Sequence, residues 1–204
     1  MAQVRPYRGV EAAERLADRR RRLLEAGLDL LGTGDPAELT VRAICAQAGL
    51  GVRYFYESFS DKDDLIGQVY DWVIGRIATT TQAAVAAAPA GEKNRAAMAN
   101  IVQSIAADNR VGRLVFSSRL SNGVVLRKRA ESFALMVMLT FQTASEMGAQ
   151  RDSQTKAAAH FVVGGVTQTI TAWLDGDIEL DDAQLVDHLA ALLDHLAVPP
   201  RSET

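Results

Sequence analysis

Along nearly its whole length this chain repeats its apolar residues at intervals of three and four. No stretch of useful length alternates at intervals of two, so the sequence encodes amphipathic helices rather than half-buried strands. A helix with one apolar stripe must bury it on another element, and without a sheet the partner is another helix. The fold class is therefore all-α. Leu16, Leu23, Leu24, Leu28 and Leu31 form the stripe of a first helix with Arg19 to Arg22 at its start, and Gly32, Gly34 and Pro36 end it. The residues before it, with Pro6 and Gly9, read as a flexible tail over 1–14.

Shorter elements follow. Thr40 is placed to cap a short helix carrying Val41, Ile44 and Cys45, which Gly49 closes, and a third helix begins at about Gly51 or Val52. Ser60 and Asp63 have capping-box spacing for a long fourth helix, with Asp61, Asp63 and Asp64 at its positive end. Leu65, Ile66, Val69, Trp72, Val73 and Ile77 give that helix its stripe. Turn signals at 89–92 and at Ser121-Asn122-Gly123 separate helices at 93–109, up to about 117, and 124–149; two more follow at 154–175 and 182–197. Asp181 and Gln184 have capping-box spacing at the start of the last helix, and Pro199 and Pro200 stop it. About nine helices result.

The segment from Thr40 to Lys62 carries the most specific signal. Two short helices flank Ala48-Gly49-Leu50-Gly51, where a glycine supplies the left-handed conformation of a tight turn and Ala48 lets the helices approach. This is the layout of a helix-turn-helix, whose second helix can lie in a major groove. At 100° per residue, Phe55 and Phe59 share the core side of the third helix, and the opposite arc holds Arg53, Tyr54 and Glu57. Arginine can contact guanine through two hydrogen bonds and a tyrosine hydroxyl can donate to phosphate, which suits DNA; a generic three-helix subdomain with Arg53 and Tyr54 solvated fits the spacing as well. Glu57 either accepts from a cytosine amine or pairs with Arg53 one turn away. The arginines at 19–22 have two readings, a solvated helix face or a phosphate clamp with at most two side chains on DNA.

Residues 15–70 resemble the N-terminal domain of the TetR family of regulators. The resemblance rests on the leucine-rich first helix, Leu39-Thr40 ahead of Ile44, Ala48-Gly49-Leu50, and Tyr56, Phe59, Lys62 and Leu65 in a Y-x-x-F-x-x-K-x-x-L pattern. It implies a helix-turn-helix DNA-binding domain over 15–62 and a helical ligand-binding and dimerisation domain over 63–204. By the same resemblance Thr40, Tyr56 and Lys62 contact phosphates, and Arg42, Val52, Arg53 and Tyr54 reach base edges. Gly51 belongs to the same DNA-facing set but departs from the family, which often has Ser or Thr there. Val52-Arg53 stands for a common Lys-Gly, and Glu57-Ser58 also departs from the usual residues, so the operator is left open.

Beyond the motif the chain is less explicit. Phe133, Met136 and Phe141 on one helix, with Trp72, Phe116 and Trp173, are flexible or aromatic groups that can line an apolar ligand pocket, and Gln168 could place a hydrogen bond in it. Ordinary core packing explains each of them as well. Gly164-Gly165 in mid-helix costs about 1 kcal/mol per glycine relative to alanine, which a close helix neighbour would justify. Leu185, Leu189, Leu192 and Leu196 form a stripe on the last helix. The resemblance makes Gly164, Gly165 and that stripe a homodimer interface. It makes the partners a double-stranded, pseudo-palindromic DNA operator and a small-molecule effector.

Other functions find little support. The net charge of −3 argues against a non-specific nucleic-acid coat. The three histidines have no metal-ligand spacing, and no phosphate loop, dinucleotide fingerprint or nucleophile elbow is present, so neither an enzyme nor a cofactor is expected. Cys45 is the one cysteine and reads as packing. No signal peptide or membrane span is seen, and a cytoplasmic location is expected. The expected function is a sequence-specific transcriptional regulator, a repressor released by an apolar or amphipathic ligand. The alternative is a helical small-molecule binding or interaction protein with weak or no DNA binding.

Overall fold

A computed structural model describes residues 8–33, 39–117, 120–146 and 148–197. Pro6, Gly34, Pro36, Pro199 and Pro200, which figure in the sequence reading, lie outside them. The described residues form nine α-helices: α1 (Arg8–Thr33), α2 (Val41–Ala48), α3 (Val52–Tyr56), α4 (Lys62–Ala87), α5 (Lys93–Ala107), α6 (Asn109–Val115), α7 (Gly123–Glu146), α8 (Ser153–Asp175) and α9 (Asp182–Ala197). None is long and apolar enough to cross a membrane. Helix α1 already runs from Arg8, so residues 8–14 are helical where a tail is expected, and the arginine cluster sits in mid-helix.

Two apolar clusters hold these helices together. The first gathers Leu23, Leu28 and Leu31 of α1, Ile44 of α2, Phe55 of α3, Leu65, Ile66 and Val69 of α4, Leu114 of α6 and Val125 of α7. The second gathers Met98, Val102 and Ile105 of α5, Ile170 of α8, and Leu185, Val186 and Leu189 of α9. Leu16, expected in the α1 stripe, lies beyond the packed part of the helix and is exposed. The first cluster runs through the expected domain boundary at residue 62, since one face of α4 packs on α1 and on α7.

Helix ends follow the residues available to cap them. Thr40 accepts the Ala43 N–H (3.1 Å) to start α2. On α9, Asp181 and Gln184 exchange bonds of 2.8 and 3.0 Å, the expected capping box. On α4 the expected Ser60–Asp63 box is displaced by one residue. Asp61 is the cap and accepts the Asp64 N–H (2.8 Å), while the Asp64 carboxylate accepts the Ser60 N–H (2.9 Å). Phe59 is anchored in the core, and the chain uses Ser60 and Asp61 to turn out of it before helical geometry begins.

Helix α6 is seated directly on α1. A Cβ on Gly32 would lie 2.5 Å from the Cβ and 2.9 Å from the Cα of Arg110, so glycine permits this contact. Arg110 binds Asp108 through Nε (2.8 Å) and Nη2 (2.6 Å) and reaches Asp29 of α1 through Nη1. Gln47 of α2 donates to the other Asp29 oxygen (3.1 Å). The far end of α6 is held by Arg129 of α7, which donates to the carbonyls of Arg113, Leu114 and Ser117 at 2.7–3.0 Å.

Candidate nucleic-acid interface

The turn between α2 and α3 is fixed by backbone geometry. Gly49 has φ 63°, and its N–H bonds to Ala46 O (3.1 Å) while the Leu50 N–H bonds to Cys45 O (2.9 Å). Such a left-handed helix exit satisfies the last carbonyls of α2. Cys45 is buried on that helix, and burial pushes its thiol up from the ordinary value, as expected of a packing residue. Gly51 precedes α3 with no side-chain bond to its first turn and an extended backbone.

Helix α3 is only five residues long, so packing must hold it. Phe55 and Phe59 are buried, with ring centroids 5.6 Å apart, and Tyr56 meets Phe55 edge-on at 5.3 Å. These anchors turn Val52, Arg53, Tyr54 and Tyr56 outward. Arg53 is the most open, with 89% of its side chain accessible. Thr40 and Arg42 are exposed at the start of α2, and Lys62 is half-buried in the first residue of α4. All eight positions expected to face DNA thus lie on the helix-turn-helix or at the α4 start beside it.

Glu57 pairs with Arg53 (3.3 Å), one of the two roles open to it, and also with Arg19 of α1 (3.7 Å). Three arginines of the cluster also bind within the protein. Arg19 lies over the Tyr54 ring (4.4 Å). Arg20 donates to Ser58 O (3.1 Å) and to Gln68, and lies over Phe59 (4.7 Å). Arg22 donates to Ala48 O (2.6 Å). Arg21 alone pairs locally, with Asp18 (2.8 Å). The sequence reading missed these inward roles. Four consecutive arginines on a helix with a buried face were the available signal, because one helix cannot turn all four to the same side.

The positions expected in the second half are more scattered. Phe133 packs near His160 (6.1 Å between rings), its ring 4.0 Å from where a Gly164 Cβ would be. Phe141 lies under Arg151, and Trp72 under Arg76. Phe116 and Trp173 pack on the second core cluster, and the Trp173 indole donates to Leu180 O (2.8 Å). Met136 and Gln168 are exposed on the single chain. Of these seven, Phe116 and Trp173 share a core cluster. An open concavity of about 620 Å³ is lined by Ile178, Glu179, Leu180, Gln184, Asp187 and His188, none of them among the expected ligand residues.

Part of the expected dimer surface is corrected. Leu185 and Leu189 are 0% and 2% exposed because that side of α9 packs on α5, so they have no surface to offer a partner. Leu192 and Leu196 of the same stripe are about half exposed, Gly165 is exposed, and Phe161 of α8 is 69% exposed. One face of α9 thus serves the core and the next serves the surface.

The comparisons with known proteins agree with this architecture. Residues 23–69 match the family described as bacterial regulatory proteins, tetR family. No curated protein matches the chain in sequence. Among solved structures, the fatty acid degradation regulator FadR from Bacillus halodurans is 19% identical, with a TM-score of 0.67 over 90% of this chain and 96% of that one. A TetR-family regulator from Syntrophomonas wolfei is 14% identical, with a TM-score of 0.73 over 92% and 99%. FadR from Bacillus subtilis in complex with stearoyl-CoA is 18% identical, with a TM-score of 0.65 over 85% and 96%. At these identities the structural likeness speaks for the fold. The family match lies on the helix-turn-helix itself, so residues 23–69 form a DNA-binding domain of the tetR type, and the chain as a whole shares the fold of these regulators.

Proposed function

We propose that this protein is a homodimeric repressor that binds a pseudo-palindromic operator and leaves it when a small apolar or amphipathic ligand binds. The observation that carries the reading is α3: two buried phenylalanines hold it so that Arg53, Tyr54 and Tyr56 face outward together. In a two-fold dimer the two α3 helices would enter successive major grooves roughly 34–36 Å apart. Arg42, Val52, Arg53 and Tyr54 would reach base edges, while Thr40, Tyr56, Lys62 and the backbone at Gly51 hold phosphates. The exposed Phe161, Gly165, Leu192 and Leu196 would pair the two copies.

The structure of Bacillus subtilis FadR with stearoyl-CoA supports a long-chain amphipathic effector. Phe133, Met136 and Phe141 on α7 are suited to an acyl chain. Such a ligand releases DNA only if it favours a different α3 spacing. The contact of α6 with α1 through Gly32, Asp29 and Arg110 is the natural route, since it joins the two halves of the chain. The test is selection of genomic DNA by the purified protein at stated salt, followed by titration of the complex with stearoyl-CoA. Recovery of one palindrome and its release by the ligand support the reading. The pairing of Glu57 with Arg53 favours a second reading, a helical ligand-binding protein with weak DNA binding; recovery of no sequence above background would select it.

A further inference from the structure

We propose that Arg19 is a positioning residue for operator reading: it holds the Glu57 carboxylate so that Arg53 is free to leave it for a base. The inference rests on the DNA-binding reading above and goes beyond it, because Arg19 lies on α1, where the sequence offered a solvated face or a phosphate contact but no part in base reading.

Glu57 stands at the C-terminal end of α3, where a carboxylate close to phosphates would oppose binding. Its two oxygens face two cations: Oε1 faces Arg53 Nε at 3.3 Å and Oε2 faces Arg19 Nη2 at 3.7 Å. The two arginines are not equivalent. The Arg53 side chain is 89% exposed and can swing away, whereas that of Arg19 is 27% exposed. The Arg19 Nε is shut off from solvent without a hydrogen-bond partner, and its guanidinium lies 4.4 Å over the Tyr54 ring. Arg19 is therefore committed to the back of α3 rather than extended toward a phosphate.

When Arg53 turns to a guanine edge, Arg19 remains as the counter-charge of Glu57 and keeps Tyr54 in place. Without Arg19, Arg53 is the nearest cation left to Glu57. The pair then closes, Arg53 is held back from the base, and Tyr54 loses the surface it rests on. Arg20 and Arg22 leave this balance intact, since they bind backbone carbonyls at Ser58 and Ala48.

The experiment uses full-length protein and the duplex that the parent selects from a randomised pool, with affinity measured by fluorescence anisotropy across a salt series. Arg19→Ala is expected to weaken binding by about tenfold, an ordinary size for coupling between neighbouring side chains. It should relax the base preference read by Arg53 and leave the salt dependence unchanged. Glu57→Gln in the Arg19→Ala background is expected to restore most of the affinity. Arg19→Lys keeps the charge but not the flat face over Tyr54, so it should fall between parent and Arg19→Ala; it serves as the test variant if circular dichroism shows the alanine variant unfolded.

A fall of about 0.9 in the slope of log K against log salt, with base preference retained, would make Arg19 a phosphate contact and overturn the proposal. Failure of Glu57→Gln to rescue would overturn it as well. A parent that selects no sequence overturns the DNA-binding reading and this inference together, an outcome distinct from both.

Discussion

Arg53 and Phe55 are two positions apart, about half a helical turn, and that separation turns one to the surface while the other holds the fold. Arg53 is almost fully open and Phe55 fully buried. Arg53→Ala is expected to cost about 1–3 kcal/mol of discrimination at one base pair while leaving thermal stability unchanged, measured by binding to operator variants and by melting. Phe55→Ala removes a core anchor and is expected to lower stability by about 3–5 kcal/mol. The sequence placed both correctly, because the period of the helix alone decides which side each takes. It left open which role Glu57 plays, since the Arg53–Glu57 spacing allows a pair but Arg19 reaches Glu57 from another helix.

Among the elements, the α2–α3 turn is the most tightly specified. Gly49→Ala places a side chain at φ 63° and is expected to cost about 1–2 kcal/mol. Gly51 is different: its backbone is extended and nothing lies within 4 Å of a Cβ added there. Gly51→Ser should gain a cap worth a few tenths of a kcal/mol and tighten DNA binding through a new hydroxyl, readable by melting and anisotropy. The caps of α4 and α6 make stability pH-dependent. The hydrogen bond from Gln68, then that from the Ser60 N–H, holds Asp64 below the usual carboxylate range, and the bond from Arg110 does the same for Asp108. A carboxylate whose folded pKa lies below its unfolded value stabilises the fold fully above the unfolded pKa. That stabilisation is lost as pH falls through the folded one. Melting temperature should therefore drop below about pH 4, and Asp64→Asn with Asp108→Asn should flatten that limb.

For the molecule as a whole, the stripe on α9 divides into a buried part and an exposed part, and their proposed roles can be separated by experiment. Leu185→Ala or Leu189→Ala opens the α5–α9 core and is expected to lower stability by about 2–5 kcal/mol. Leu192→Glu with Leu196→Glu is expected to leave the monomer folded but dissociate the dimer in analytical ultracentrifugation, and to abolish operator binding at the same concentration. Loss of fold in the second pair, or of dimer alone in the first, would reverse the assignment. The apolar core of the DNA-binding half continues into α4, α6 and α7, so the two halves are mechanically joined and a displacement of α6 bears directly on α1.

Much of this protein was decided locally. Helix number, the helix-turn-helix and its inward and outward faces follow from apolar period, glycine punctuation and capping residues within a few turns of one another. The same locality explains the misses, since a capping pair could be displaced by one residue once Phe59 took its place in the core. Only the tertiary structure decided what lies far apart in sequence. It turned Arg19, Arg20 and Arg22 inward onto α3 and the turn, joined Asp29 to Arg110, and gave Leu185 and Leu189 to α5 rather than to a partner. Helical period tells which residues share a face, but what covers that face depends on how the helices pack.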